Sequence, residues 1–429
     1  MKQQSFEKTV LPNGVRLILV PMGGVDSVAT SVMVACGSRY ESRVNNGVSH
    51  FLEHMVFKGT KKYPTTDDVN TIERAGGLQN AYTDIDITSF HNKVLSEDWS
   101  LALEINKELA ILPRLEEKYV DMERSVIIEE MKRYEDEPGM KVGEIFHTMM
   151  YKGSPLGMRI IGDEASLRAS NAQTLRTYHD AWYKPTQIVV TLAGRITNNE
   201  SRITKVVNEW FGALSGKPDT DFERMTADSQ DKPRLEVLTK PDAQQAHLNI
   251  GLRTFRRGSE DRYAWNLFNL IMGVSFTSRL FKEVREKRGL CYHVRSGSDS
   301  WADVGYWSIY AGVATDKVTE ATQAIMVELV KAAQKGVTDE EVAVARKRLK
   351  TSLAFSSENP EFMGEYYGRQ ELFREPIISM DDYVEKIDKV TKEDINALIK
   401  KYFVTKNLNM ALVWSKPKDE KLLSLLRLG

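Results

Sequence analysis

Cysteine is almost missing from this 429-residue chain, which carries only Cys36 and Cys291. Two thiols exclude a disulfide-stapled scaffold and suit a reducing compartment. Long apolar runs are missing as well: no stretch approaches the ~20 residues that a membrane-spanning helix needs. Neither sign of charge is in excess, with 59 Lys plus Arg against 60 Asp plus Glu. No global field therefore favours nucleic acid or an anionic membrane. The opening "MKQQSFEKTVLPNG" has neither the apolar core of a signal peptide nor the Arg-rich pattern of an organellar one. A cytoplasmic protein with no nucleic-acid or membrane partner is expected.

The chain is long for one hydrophobic core, and two domains are expected. "FEKTVLPNGVRLILVPM" reads as a hairpin about Pro12-Asn13-Gly14, and "SVATSVMVACGSR" as a further strand. "SGKPDTDFERMTADSQDKP", residues 215–233, is polar and rich in turn formers, so it reads as a linker between domains 1–214 and 234–429. A weak repeat flanks it: "ERAGGLQNAYT" and "EKRGLCYHVRS" hold matching places, and each half closes on an apolar strand, "QIVVTLAGRI" and "LNMALVW". The fold class is α+β, as two tandem related domains, each a mainly antiparallel mixed sheet covered by helices.

Histidine is scarce too, with seven in all, yet two fall four residues apart in "SHFLEHMVFKG". Val48, Phe51, Leu52, Met55 and Val56 form the apolar stripe of a packed helix, with Asn46 or Ser49 as its cap and Gly59 near its end. His50 and His54 lie beside that stripe at i and i+4, a spacing from which two imidazoles converge on one ion. Glu53 sits on the same side, within reach of a metal-bound water without being a ligand. The matching helix of the second half, Tyr263 to Val274, has no His or Glu, so a metal site belongs to the first half alone. A third ligand has candidates in "YVDMERSVIIEEMKRYEDEPG", a long helix ended by Pro138-Gly139. Glu123, Ile127 and Glu130 share one face, whereas Glu129 points about 100° away. Carboxylates on an apolar face are costly unless paired or metal-bound; the plain alternative is a surface helix with incidental acids. His91, His147, His179, His247 and His293 show no ligand spacing and read as structural.

Taken together, "GVSHFLEHMVFKGT", "GGLQNAYT", "ERSVIIEE" and "VREKRGLCYHVRSG" resemble the inverted zinc metallopeptidases of the pitrilysin/insulinase group. The likeness is to the short two-domain members related to mitochondrial processing peptidase. The resemblance implies one zinc per chain on His50, His54 and Glu130, with Glu53 as general base and Glu123 as supporting acid. It implies that Asn80 and Ala81 pair with substrate backbone, and that Arg285 and Tyr292 bind the substrate near the scissile bond. In related two-chain enzymes the zinc motif and the Arg/Tyr pair sit on different subunits. This chain has both, which implies a homodimer whose Arg285 and Tyr292 complete the site in trans, enclosing peptides or unfolded segments in a chamber. A zinc-dependent oligopeptidase is expected. The alternatives are one subunit of a heterodimeric processing peptidase and a non-catalytic, peptide-binding scaffold.

Overall fold

The computed structural model describes residues 6–218 and 230–428. They part into two compact units, each built on one sheet. The first unit comprises Met1–Glu130, Met158–Glu223 and Leu353–Tyr383. Its strands are β1 (Glu7–Val10), β2 (Arg16–Pro21), β3 (Ser27–Val34), β4 (Leu78–Thr83), β5 (Thr88–Leu95) and β6 (Ile188–Gly194), in the order β1-β2-β6-β3-β5-β4. β2 and β6 run parallel and every other pair is antiparallel. The expected hairpin is β1–β2, joined through Gly14 at φ 96°.

The central strands are apolar almost throughout, "RLILVP", "SVATSVMV" and "IVVTLAG", because helices bury both faces. One face takes the helix Pro360–Leu372, whose Met363 and Tyr367 join Ile18, Val20, Met33 and Val189 in the core. Its Gly368 lies so near the sheet that a Cβ would meet Thr191 Cγ2 at 2.6 Å. Neighbouring residues of a strand point to opposite faces. Thr191 faces this helix, so Leu192 and its partner Thr30 face away. There Asn106 of a second helix, Trp99–Ile111, donates to Thr30 O at 3.1 Å and to its Oγ1 at 2.9 Å. β4 stands at the sheet's edge, paired to β5 alone, and of "LQNAYT" only Ala81 is buried.

The second unit comprises Met131–Gly157, Arg224–Ser352 and Val384–Gly429. Its strands are β7 (Arg234–Thr239), β8 (Gln245–Thr254), β9 (Cys291–Ser300), β10 (Gly305–Ala314) and β11 (Asn409–Trp414), in the order β7-β11-β8-β10-β9. β9 is its edge strand and is hairpinned to β10, as β4 is to β5, so the two matched sequence segments occupy matched edges. The helix Pro138–Met150 packs on β8 and β11. Each unit thus includes a helical segment from the far side of the linker: 353–383 in the first and 131–157 in the second. Of the 215–233 linker, residues 219–229 lie outside the described residues. Cys36 and Cys291 are both free and buried. Among the described residues no helix is long and apolar enough to cross a membrane.

Candidate metal centre

Helix α1 (Val48–Val56) buries Val48, Phe51, Leu52, Met55 and Val56, the stripe expected from its sequence. Its N-terminus is capped differently from the expectation. Neither Asn46 nor Ser49 caps it by side chain; the carboxylate of Glu41 accepts instead, from the Gly47 N–H at 2.7 Å and the Ser49 N–H at 2.8 Å. Gly47 sits at φ +92°, and a Cβ there would meet Gly162 Cα at 2.8 Å, so the turn into α1 requires glycine. Burial pushes the Glu41 carboxyl up to about 7, against the hydrogen bonds from Gly47, Ser49 and Asn46. The helix also ends short of Gly59, at Phe57.

The fixed helix sets His50 and His54 with ring centroids 4.7 Å apart. From the helix Glu117–Asp136, the Glu130 carboxylate approaches both, 3.7 Å from His50 Nε2 and 3.5 Å from His54 Nε2. One ligand atom from each of the three lies within 4.8 Å of the others, the only such His/Cys/Asp/Glu group among the described residues. Ligands ~2.0–2.1 Å from a tetrahedral zinc stand about 3.3–3.4 Å apart. The two separations from Glu130 sit just above that value, so the triad is spaced to take an ion between its members. Two imidazoles and one carboxylate are also the donor set of a three-ligand catalytic zinc site.

The surroundings tune each ligand differently. His54 Nδ1 lies 3.4 Å from Glu123 Oε2, and Glu123 Oε1 receives the Lys58 ammonium at 2.6 Å. Burial would raise the Glu123 carboxyl, but the bonds from His54 and Lys58 prevail and hold it below the usual range. Burial would likewise lower His54, yet hydrogen bonds to Glu123 and Glu130 raise it to about 9. His50 is lowered to about 4, by burial first and by the neighbouring His54 charge second. In the metal-free protein at pH 7.5 His54 therefore holds a proton and His50 does not. A bound metal ion must displace that proton, so uptake is expected to release at least about one proton per ion at pH 7.5. Titration calorimetry in buffers of different ionisation enthalpy measures this number, and zero release at pH 7.5 would contradict the assignment.

Glu53 stands outside the ligand group. Burial pushes its carboxyl up, opposed chiefly by the Thr83 hydroxyl, which donates to Oε2 at 2.5 Å. Thr83 ends edge strand β4, where Asn80 is exposed and Ala81 is buried. The Ala81 N–H is met by the Asn80 side-chain oxygen at 2.9 Å. Glu129 is exposed and takes no part. In the second unit, Arg285 lies on a π-helical turn, Phe281–Glu286, with its guanidinium carbon 4.8 Å from the Phe281 ring centre and 4.9 Å from that of Tyr292. Tyr292, at the start of β9, is 80% exposed. Glu41, Lys58 and Thr83 escaped the reading of the sequence. For Thr83 a signal existed, since it alternates with Ala81 and so shares its face.

Residues 19–164 match the sequence profile of the insulinase family, peptidase family M16, and residues 170–349 match that described as the peptidase M16 inactive domain. An uncharacterised zinc protease of Bacillus subtilis, YmxG, is 33% identical over 404 residues, 94% of this chain and 96% of its own length. The chain belongs to the M16 peptidase family. A second M16 relative, an uncharacterised zinc protease of Streptomyces coelicolor, is 32% identical over 92% of this chain and 86% of its own. The crystal structure of a protease from Helicobacter pylori shares the fold, with a TM-score of 0.90 at 22% identity, over 96% of this chain and all of that one. All of His50, Glu53, His54 and Glu130 fall within the first M16 match; the second half matches the inactive domain, in keeping with a metal group confined to the first.

Proposed function

We propose that this M16 chain is a zinc-dependent endopeptidase that hydrolyses peptides and unfolded segments, with Glu53 as its general base. One observation carries the reading: three ligand groups spaced for an ion stand beside a fourth, half-buried carboxylate that is not among them. Zinc held by His50, His54 and Glu130 would supply an acidified water and an electrostatic partner for the developing oxyanion. Glu53 takes the proton of the attacking water and returns it to the departing amine. Glu123, braced by Lys58, holds His54 in one orientation. Edge strand β4 offers its backbone at Asn80 and Ala81 to an extended peptide, a mode with little side-chain preference. That two of its relatives are described as zinc proteases supports the peptidase class.

We place Arg285 and Tyr292 of a second copy on the substrate of this site, with two chains enclosing a chamber that admits unfolded segments. The exposure of Tyr292, with Arg285 propped against its ring, supports that role. Two unpaired, buried thiols suit work in the reducing cytoplasm.

The test couples metal analysis of the purified protein to a peptide-library digest read by mass spectrometry. Zinc at one per chain, with cleavage lost to a chelator and regained on zinc addition, is expected. A zinc-replete protein that leaves the library intact would favour the scaffold reading. For the trans arrangement, Glu53→Gln and Arg285→Ala chains, each weak alone, should regain about one quarter of wild-type activity when mixed as exchanging dimers. Mixed chains that remain as weak as either variant would sink it.

A further inference from the structure

The Glu53 carboxylate has three rotatable bonds between it and the backbone, and a base displaced by ~1 Å from its proton can lose about 10²-fold in rate. Something must hold it. α1 packs against β4, and the group that reaches Glu53 from that strand is Thr83, whose hydroxyl donates to Oε2 at 2.5 Å. Thr83 is itself fixed, as the last residue of β4 paired with Thr88 of β5.

We propose that Thr83 is the positioning residue of the general base, clamping the Glu53 carboxylate from the strand along which the peptide is laid. The inference rests on the reading of Glu53 as base and deepens it. The strand that would align substrate backbone at Asn80 and Ala81 ends, two residues later, in the group that aims the base. Peptide and base are thereby referred to one rigid element rather than to two that move independently. The Thr83 hydroxyl acts only through Glu53; it contacts neither the metal ligands nor the peptide.

The test uses the full-length zinc-loaded protein. Thr83→Val keeps the shape and removes the O–H. Its kcat should fall 10- to 100-fold, with KM within twofold and zinc still at one per chain. Thr83→Ser restores the O–H and should return kcat to within about threefold of wild type. Thr83→Ala serves as the second variant should the valine methyl crowd α1, and the same loss is expected. A readout free of turnover comes from a fluorescent peptide bound to the inactive Glu53→Gln protein. Adding Thr83→Val to that background should leave its Kd within twofold. The proposal is overturned if Thr83→Val and Thr83→Ala keep wild-type kcat, or if Thr83→Ser is as damaged as Thr83→Val. It is equally overturned if the double variant loses peptide affinity by the factor that Thr83→Val loses in kcat/KM, which would make Thr83 a substrate contact. Failure of the base reading is distinguishable, since it would show as an active Glu53→Gln protein whatever Thr83→Val does.

Discussion

Glu53→Gln is expected to retain one zinc per chain and to lose peptide cleavage by at least about 10³-fold. The magnitude follows from general acid–base catalysis, worth about 10²–10⁴, applied here to both the attack and the departure of the amine. Zinc should stay because Glu53 lies outside the group formed by His50, His54 and Glu130. The amide keeps the side chain's size and its acceptor oxygen toward the Thr83 hydroxyl, so folding should be little changed. Measurement of kcat/KM beside metal content separates the two effects. A Glu53→Gln protein of undiminished kcat would remove the base assignment; one that lost its zinc would make Glu53 a ligand.

Glu130→Gln should do the opposite, abolishing cleavage through the loss of metal. The substitution leaves two imidazoles and a neutral amide oxygen where the wild type offers a carboxylate. Losing an outer partner of a ligand already costs 10–100-fold in affinity, so losing the charged ligand itself should exceed about 100-fold. The purified variant should then carry far less than one zinc per chain. Zinc at 100 times Kd stabilises a folded protein by about 2.7 kcal/mol, so added zinc should raise the wild-type melting temperature and leave that of the variant almost unmoved. Full zinc occupancy in Glu130→Gln would remove Glu130 from the ligand set.

What the sequence disclosed and what it concealed follow from the range of each signal. The stripe of α1 and the pair His50/His54 obey the helical repeat, so one short segment is enough to see them. Glu123 and Glu130, seven residues or two turns apart, are sorted from Glu129 by the same geometry; Glu129 is exposed, and Glu123 and Glu130 face His54. Glu41 could not be read that way. It reaches the N-terminus of α1 across a turn that a left-handed Gly47 permits, and nothing periodic links positions 41 and 49. Lys58 carries no periodic signal either, since its partner Glu123 lies 65 positions further on in the chain. Strand order was legible for the hairpins and not for the parallel β2–β6 pair, which joins residues some 170 apart. The helix Pro360–Leu372 buries Gly364, Gly368 and Glu371 beside Met363 and Tyr367, so its sequence does not mark the buried face or the sheet it packs on.

The exchange of helices across the linker governs how the molecule can be divided. Severing the chain between residues 214 and 234 would give an amino-terminal fragment without Pro360–Leu372, its sheet bared at Met33, Val189 and Ala193. The carboxy-terminal fragment would lose Pro138–Met150 from β8 and β11. Each half is therefore a lender to the other, and a fragment cut at the linker is expected to bare the face that its borrowed helix covers.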